Sequence, residues 1–356
     1  MHPKCSNFVE MNSEKRDIRA LSKQELRDFF ENNGDKAFRG NQVYEWLWAK
    51  GIHSFADMTN ISKDTREHLE ENFVINHIKV DHFQKSDDGT IKNAVELFDG
   101  LIVESVLIPT ANRTTACVSS QVGCSLDCIF CATARLKRMR NLNPDEIYDQ
   151  VVAIHKESML YHDRPLSNIV FMGMGEPLMN YKNVLLSIDK ITSDEGLGMS
   201  PRRITLSTSG VPKMIKKMAD DKVKFNLAVS LHSAIQETRE QIMPFAKSFT
   251  LEDLKESLIY WYSKTKKIIT YEYIVWKGIN DKEEDIKALV KFCKYAPSKV
   301  NIIEYNPIGD SQFQQANKAV IDSYIARLEK NKIPVTIRRS RGKDIDAACG
   351  QLANKQ

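Results

Sequence analysis

Residues 114–131 read TTACVSSQVGCSLDCIFC. A β-prone run, Thr114–Ser120, passes through Gln121, Val122 and Gly123 into Cys124, Cys128 and Cys131, a C-x3-C-x2-C pattern where a loop at a strand end is expected. Three thiolates so spaced can wrap one soft metal centre. Structural zinc sites generally take four ligands in paired C-x2-C groups, so a zinc reading needs Cys117 or Cys349 as the fourth. An iron–sulfur cluster held by three cysteines keeps one iron open to another ligand. Spacing alone leaves both readings standing and favours the second.

Outward from this stretch, strand-like and helix-like segments alternate. TTACVSS, NIVFMG, RITLSTS, FNLAVSLH, TYEYIVW, KVNIIEYNP and VTIRRS read as strands. Helices start at Asn143-Pro144, with Ile147, Val151 and Ile154 inward, and after Thr250, with Leu254, Leu258 and Trp261 inward. This is the α/β pattern of βα units around a parallel sheet, whose chemistry gathers at the carboxyl ends of the strands. Upstream, residues 76–109 alternate in short runs broken by turns, with Asp99-Gly100 as a hairpin signal, and predict a small antiparallel β segment. Residues 18–75 predict a helical unit: Ser22 and Glu25 form a capping box, Val43, Trp46 and Leu47 mark a second helix, and Leu69 and Phe73 face inward on a third after Ser62. Residues 1–17 are polar and predict disorder.

The 356 residues allow two or three folding units. Lys plus Arg exceeds Asp plus Glu by 4, which permits an acidic partner without demanding one. No apolar run is long enough for a bilayer and no signal peptide opens the chain, so a cytoplasmic protein without membrane association is expected. Seven cysteines, three of them within eight positions, argue against a disulfide framework.

Other residues carry chemistry only in context. Gly173-Met-Gly175-Glu176-Pro177 is by itself a turn after a buried strand. Ser207, Ser230, Leu231, His232 and Asn306 fall at strand ends, where turn and capping residues also collect. Cys293 sits at an apolar helical position with Ile286, Leu289 and Val290 and reads as packing. Cys349 lies between Ala348 and Gly350 after a charged stretch, which leaves its sulfur accessible. Glu104, in LIVESVLI, is either an outward strand residue or a held acid–base group. Basic runs lie at 135–140 (RLKRMR), 201–203 (PRR) and 338–343 (RRSRGK); such runs are usually solvated faces, but the first and last flank the cysteine loop and the Cys349 tail and suggest a cationic rim for RNA phosphates.

The three-cysteine motif with Phe130 before its last cysteine resembles the radical S-adenosylmethionine superfamily, whose members share a partial (βα)6 barrel. GMGEP at 173–177, STSG at 207–210, SLH at 230–232, YNP at 305–307 and DIDAACGQL at 344–352 resemble the RlmN and Cfr family of adenosine methyltransferases, along nearly the whole chain. Ala134 departs from the family, which generally has glycine after Cys-Ala-Thr. The resemblance implies a radical SAM core over 110–343, an RNA-binding accessory domain over 18–75, a bridging β segment over 76–109 and a carrier tail over 344–356. Cys124, Cys128 and Cys131 then hold a [4Fe-4S] cluster. Gly175, Glu176, Ser207, Ser230, Leu231, His232 and Asn306 contact S-adenosylmethionine. By the same resemblance Cys349 carries a methyl group, Glu104 accepts the proton of adenine C2, and Cys117 resolves the thioether through a transient disulfide with Cys349. Implied partners are an adenosine at the peptidyl-transferase centre of 23S rRNA, the adenosine 3′ of certain tRNA anticodons, and an electron donor of flavodoxin or thiol type acting on a monomer. GMGEP and STSG favour C2 over the C8 chemistry of the Cfr type.

Overall fold

The computed structural model describes residues 15–309 and 312–354. The chain divides into two compact units, Met1–His77 and Ile78–Gln356.

In the first unit, β1 (Arg16–Asp17) pairs in parallel with β2 (Phe73–Val74). The disorder expected up to residue 17 therefore ends earlier, at least at Arg16; positions 1–14 lie outside the described residues. Ser22 caps α1 (Lys23–Asn32) by the predicted box: its Oγ accepts from the Glu25 N–H at 3.2 Å, and the Glu25 carboxylate accepts from its own N–H at 2.7 Å. α2 (Phe38–Trp48) buries Val43, Leu47 and Trp48, whereas Trp46 stays partly exposed. A Cβ on Gly40 would stand 2.5 Å from the Arg27 backbone nitrogen, so glycine permits the close approach of α1 and α2. α3 (Lys63–Asn72) buries Leu69, and Phe73 leaves the helix to join β2.

The second unit is built on one ten-stranded sheet. Its first strands, β3 (Lys79–Lys85), β4 (Ile91–Glu96) and β5 (Ile102–Thr110), are antiparallel, and Asp99-Gly100 turns β4 into β5 as expected. They are not a separate bridge: β5 pairs antiparallel with β6 (Arg113–Cys117), so the segment continues the core sheet. After β6 come the short pair β7 (Gln121–Val122) and β8 (Arg140–Asn141) around the cysteine loop, and α4 (Pro144–His162). The chain then alternates β9 (Asn168–Phe171), α5 (Tyr181–Thr192), β10 (Ile204–Thr208), α6 (Pro212–Asp220) and β11 (Asn226–Ser230). α7 (Gln236–Ile242) and α8 (Leu251–Thr265) precede β12 (Ile269–Ile274). Last come α9 (Glu283–Cys293), β13 (Ser298–Ile303), α10 (Lys318–Lys330) and β14 (Val335–Arg338).

Within the sheet, β6 and β9 to β14 are parallel and lie in chain order, as successive βα crossovers demand. The sheet is open, with β3 and β14 as its ends, so the barrel is partial. Its core is apolar: Leu206, Leu227, Val229 and Tyr273 on strands, and Leu254, Leu258 and Trp261 on α8, are essentially inaccessible. Truncating Trp261 to alanine would cost about 3–5 kcal/mol.

Candidate active site

The cysteine loop leaves β7 at Gly123, where φ is +73° and a Cβ would stand 2.4 Å from the Lys137 carbonyl oxygen. Only glycine combines that dihedral with that approach. The loop is pinned on its far side: Ile129 N–H donates to Ile242 O at 3.1 Å, and Phe245 N–H donates to Asp127 Oδ1 at 2.9 Å. Phe130 packs into an apolar cluster with Trp276, Ile303 and Tyr305, which keeps that side dry.

Cys124, Cys128 and Cys131 border one cavity at the carboxyl ends of the parallel strands, where α/β folds gather their ligand sites. Burial pushes all three thiols upward, Cys124 to about 11. Among the described residues, no group of three His, Cys, Asp or Glu side chains converges as it would on a single ion. The three loop cysteines that border the cavity bring soft thiol donors, the kind suited to an iron–sulfur cluster.

Gly175, Glu176, Ser207, Ser230, His232 and Asn306 border the same cavity. Gly175 has φ +93°, and a Cβ there would stand 2.5 Å from Gln121 Cβ. That tight turn presents Glu176, which is 2 % exposed. Its carboxylate accepts from Ser209 N–H at 2.7 Å and Leu178 N–H at 3.0 Å; burial raises its pKa and these bonds oppose the rise. Asn306 donates from Nδ2 to Cys349 O at 3.3 Å, while its Oδ1 is buried with no protein partner. An orphaned acceptor beside the cavity fits a ligand that donates hydrogen bonds.

His232 is held neutral. Burial, then the like charge of Arg239, depresses its pKa to about 3, and its Nδ1 accepts from Ile274 N–H at 3.2 Å. Its ring meets Phe130 edge-on at 4.9 Å. Leu231 is fully buried and does not border the cavity; its N–H donates to Glu272 O and its carbonyl accepts from Arg239 Nε.

The remaining expected residues are divided. Cys349 borders the main cavity and also a second one lined by Cys117, Met172, Ile303 and residues 338–341. Cys117 is buried and borders only the second; burial, reinforced by Cys349, lifts its thiol to about 12. Both cysteines are free thiols, so the disulfide implied by the resemblance is not the state observed. Glu104 borders neither cavity: its carboxylate is bound to the chain segment after Cys349.

The basic rim requires correction. Arg140 is taken up by Asp99 and Glu146 at 2.6 and 2.7 Å. The run at 201–203, which is not part of that rim, precedes β10 and lies at its amino end. Arg338 turns inward, its Nη1 3.2 Å from Met172 Sδ and 3.8 Å from Glu272 Oε2, and borders both cavities.

Two side chains of the site, Glu272 and Arg239, carry no signal in the sequence, and a third, Arg338, reads there only as part of a basic surface run. Glu272 is 3 % exposed, accepts from Asn301 Nδ2 at 2.9 Å, and leaves Oε2 without a hydrogen bond. Arg239, fully buried in α7, donates to the carbonyls of Ser209, Ser230 and Leu231, lacing the ends of β10 and β11 together; burial lowers its pKa to about 10. Each is polar within a helix or strand whose amphipathic pattern gave no hint of a cavity behind it.

A partial barrel with three cysteines at the mouth defines a radical SAM protein, and comparison with known proteins agrees. Residues 118–292 match the Radical SAM superfamily model, and residues 16–75 match the model for the ribosomal RNA large subunit methyltransferase N-terminal domain. The chain is 74% identical over 346 residues to a probable dual-specificity RNA methyltransferase RlmN of Flavobacterium johnsoniae, covering 97% of this chain and 99% of the relative. It is 42% identical to the dual-specificity RNA methyltransferase RlmN of Geotalea uraniireducens, over 96% of this chain and 98% of that one. A crystal structure of a radical SAM methyltransferase from Sphaerobacter thermophilus superposes with a TM-score of 0.89 at 32% identity, over 96% of this chain and all of that one. The chain belongs to the RlmN family of radical SAM RNA methyltransferases.

Proposed function

We propose that the chain methylates C2 of an adenosine in RNA with a methyl group carried on Cys349. The observation that carries this reading is the position of Cys349, shared between the cavity with the three loop cysteines and the cavity with Cys117. Adenine C2 lies between two ring nitrogens and is too electron-poor to attack a sulfonium methyl. A cysteine thiolate is nucleophilic enough to take that methyl first.

Cys124, Cys128 and Cys131 would hold a [4Fe-4S] cluster, which when bound supplies an electron and an open iron for cleaving S-adenosylmethionine. Glu176 offers its carboxylate to the cofactor's ammonium, and Gly175 lets the backbone come close. Ser207, Ser230, His232 and Asn306 surround the rest, while Leu231, away from the cavity, contributes by holding Arg239 through its carbonyl. Arg338 borders the cavity shared by Cys349 and Cys117, and its charge opposes part of the rise that burial imposes on the Cys117 thiol. A hydrogen atom would pass from the Cys349 methyl to the cofactor-derived radical and the methylene carbon would add to the base; the adduct would then lose one electron, returned to the cluster, and its C2 proton, taken by Glu104. Cys117 then attacks the Cys349 sulfur; the S–S bond forms as the S–C bond breaks, and the departing carbon takes a proton. Two electrons from an external flavodoxin or thiol system reduce the disulfide.

The substrates proposed are the 23S rRNA adenosine at the peptidyl-transferase centre and the adenosine 3′ of certain tRNA anticodons, modified by a cytoplasmic monomer. Among the described residues no helix is long and apolar enough to cross a membrane. The first unit is proposed to grip RNA shape.

The test is anaerobic reconstitution with iron and sulfide, followed by nucleoside mass spectrometry of each RNA against C2 and C8 methyl standards. C2 product that disappears in Cys349→Ala is expected. C8 product alone, or unchanged product in Cys349→Ala, would overturn the reading.

A further inference from the structure

The Glu104 carboxylate is 2 % exposed, and three donors surround it. Its Oε2 accepts from the N–H groups of Ala353 at 2.7 Å and Asn354 at 3.2 Å, and Lys92 Nζ stands 3.4 Å from Oε1. Lys92 is itself buried, at 6 % side-chain exposure. The pairing of β4 with β5 explains the contact: Ala94 lies opposite Glu104 and Val106 opposite Lys92, so the two charges are diagonal neighbours on one face. Asn354 Nδ2 adds a bond to Ile102 O at 2.7 Å. Nearer Cys349, Ala132 N–H donates to Gly350 O at 2.7 Å and Thr133 Oγ1 to Leu352 O at 2.7 Å. The segment is thus fastened to the cysteine loop just after Cys349 and to Glu104 at its far end.

We propose that Lys92 is a positioning residue and that Glu104, which it holds, is the latch of the carrier segment: seating Cys349 and taking a proton from the RNA base are alternative uses of one carboxylate. The inference rests on the reading of Glu104 as proton acceptor. With the segment seated, Oε2 is filled and Glu104 reaches neither cavity, so the base must displace residues 353–354 to meet it. Once those residues leave, Lys92 alone balances the buried charge. Protonation removes that charge and with it the strong acceptor that recaptures the segment.

The test is amide hydrogen exchange on the full-length chain, wild type against Lys92→Met, Lys92→Arg and Ala353→Pro, with Cys349 methylation read in parallel by intact mass. Lys92→Met should speed exchange at Ala353 and Asn354 by about tenfold with β12 amides unchanged, and Lys92→Arg should restore protection. Ala353→Pro removes one donor and leaves Glu104 intact; it should speed exchange at Asn354 and slow Cys349 methylation. Unchanged exchange in both Lys92→Met and Ala353→Pro, or equal acceleration across the whole sheet in both, would overturn the latch. Absence of Cys349 methylation in the wild type, with exchange as expected, would instead sink the carrier reading and leave the latch standing.

Discussion

Asn306 touches Cys349 with one half of its side-chain amide and leaves the other half unmatched: Nδ2 donates to the Cys349 carbonyl at 3.3 Å, and Oδ1 is buried alone. One residue therefore couples the carrier segment to whatever fills the cavity. Asn306→Ala should weaken S-adenosylmethionine binding by roughly tenfold, the loss of one hydrogen bond of about 1 kcal/mol plus a less constrained segment. Equilibrium dialysis on the reconstituted protein measures it; unchanged affinity would remove Asn306 from the cofactor's surroundings.

Glu176→Gln keeps shape and removes charge. Its partner would be a cationic ammonium, so affinity should fall by about 10- to 100-fold, matching about 1.5–3 kcal/mol for a charged hydrogen bond. Folding should also weaken, by about 1–3 kcal/mol, because the glutamine oxygen accepts from only one of Leu178 and Ser209 and the other N–H then faces an NH2 group. Dialysis and a urea titration together separate the two effects.

Gly175→Ala meets both obstacles at once, a φ of +93° and a Cβ 2.5 Å from Gln121 Cβ. A destabilisation of about 1–3 kcal/mol is expected from the strained backbone alone. Chemical denaturation of the apo chain should show a lower midpoint, and Gly175→Ala should cost less in a Gln121→Gly background, which lacks the Cβ that it meets.

His232 gives a pH dependence of known sign. Its pKa is near 6.5 in the unfolded chain and about 3 in the folded one, so the folded state binds fewer protons between these values. The contribution is complete above pH 6.5 and is lost as pH falls toward 3, at no more than about 1.4 kcal/mol per pH unit. His232→Asn, whose side chain tolerates the positive φ of 56° at this position, should flatten that part of the stability profile. Parallel profiles for the two chains between pH 6 and pH 4 would contradict the assignment.

Much of this arrangement is legible in the chain because its signals are local. The seven parallel strands are β-branched runs ended by glycine, serine or asparagine, and the three cysteines declare themselves by spacing. What is not legible depends on partners far away in sequence. The alternation around Glu104 is compatible with either face; only the pairing of β4 with β5 decides that it meets Lys92. RRSRGK reads as a solvated charge run, yet Arg338 ends β14 beside β13, and its inward face is set by Glu272 on β12. Arg239 lies among Gln, Glu and Thr in a helix that looks exposed, and its burial follows from three carbonyls at the tips of two strands. The continuation of the antiparallel strands into the parallel sheet rests likewise on the β5–β6 pairing.

Because Cys349 belongs to the walls of both chambers, together with Met172, Ile303 and Arg338, while Cys117 belongs only to the smaller, a route that starts in the larger chamber has Cys349 in its wall from the outset and Cys117 only beyond it. A bulky alkylating reagent entering by that route would be consumed at Cys349 first, and Cys117 would be spared until its neighbour had reacted or moved aside. The fold thus imposes an order of access on two chemically similar sulfurs by architecture, without needing them to differ in reactivity.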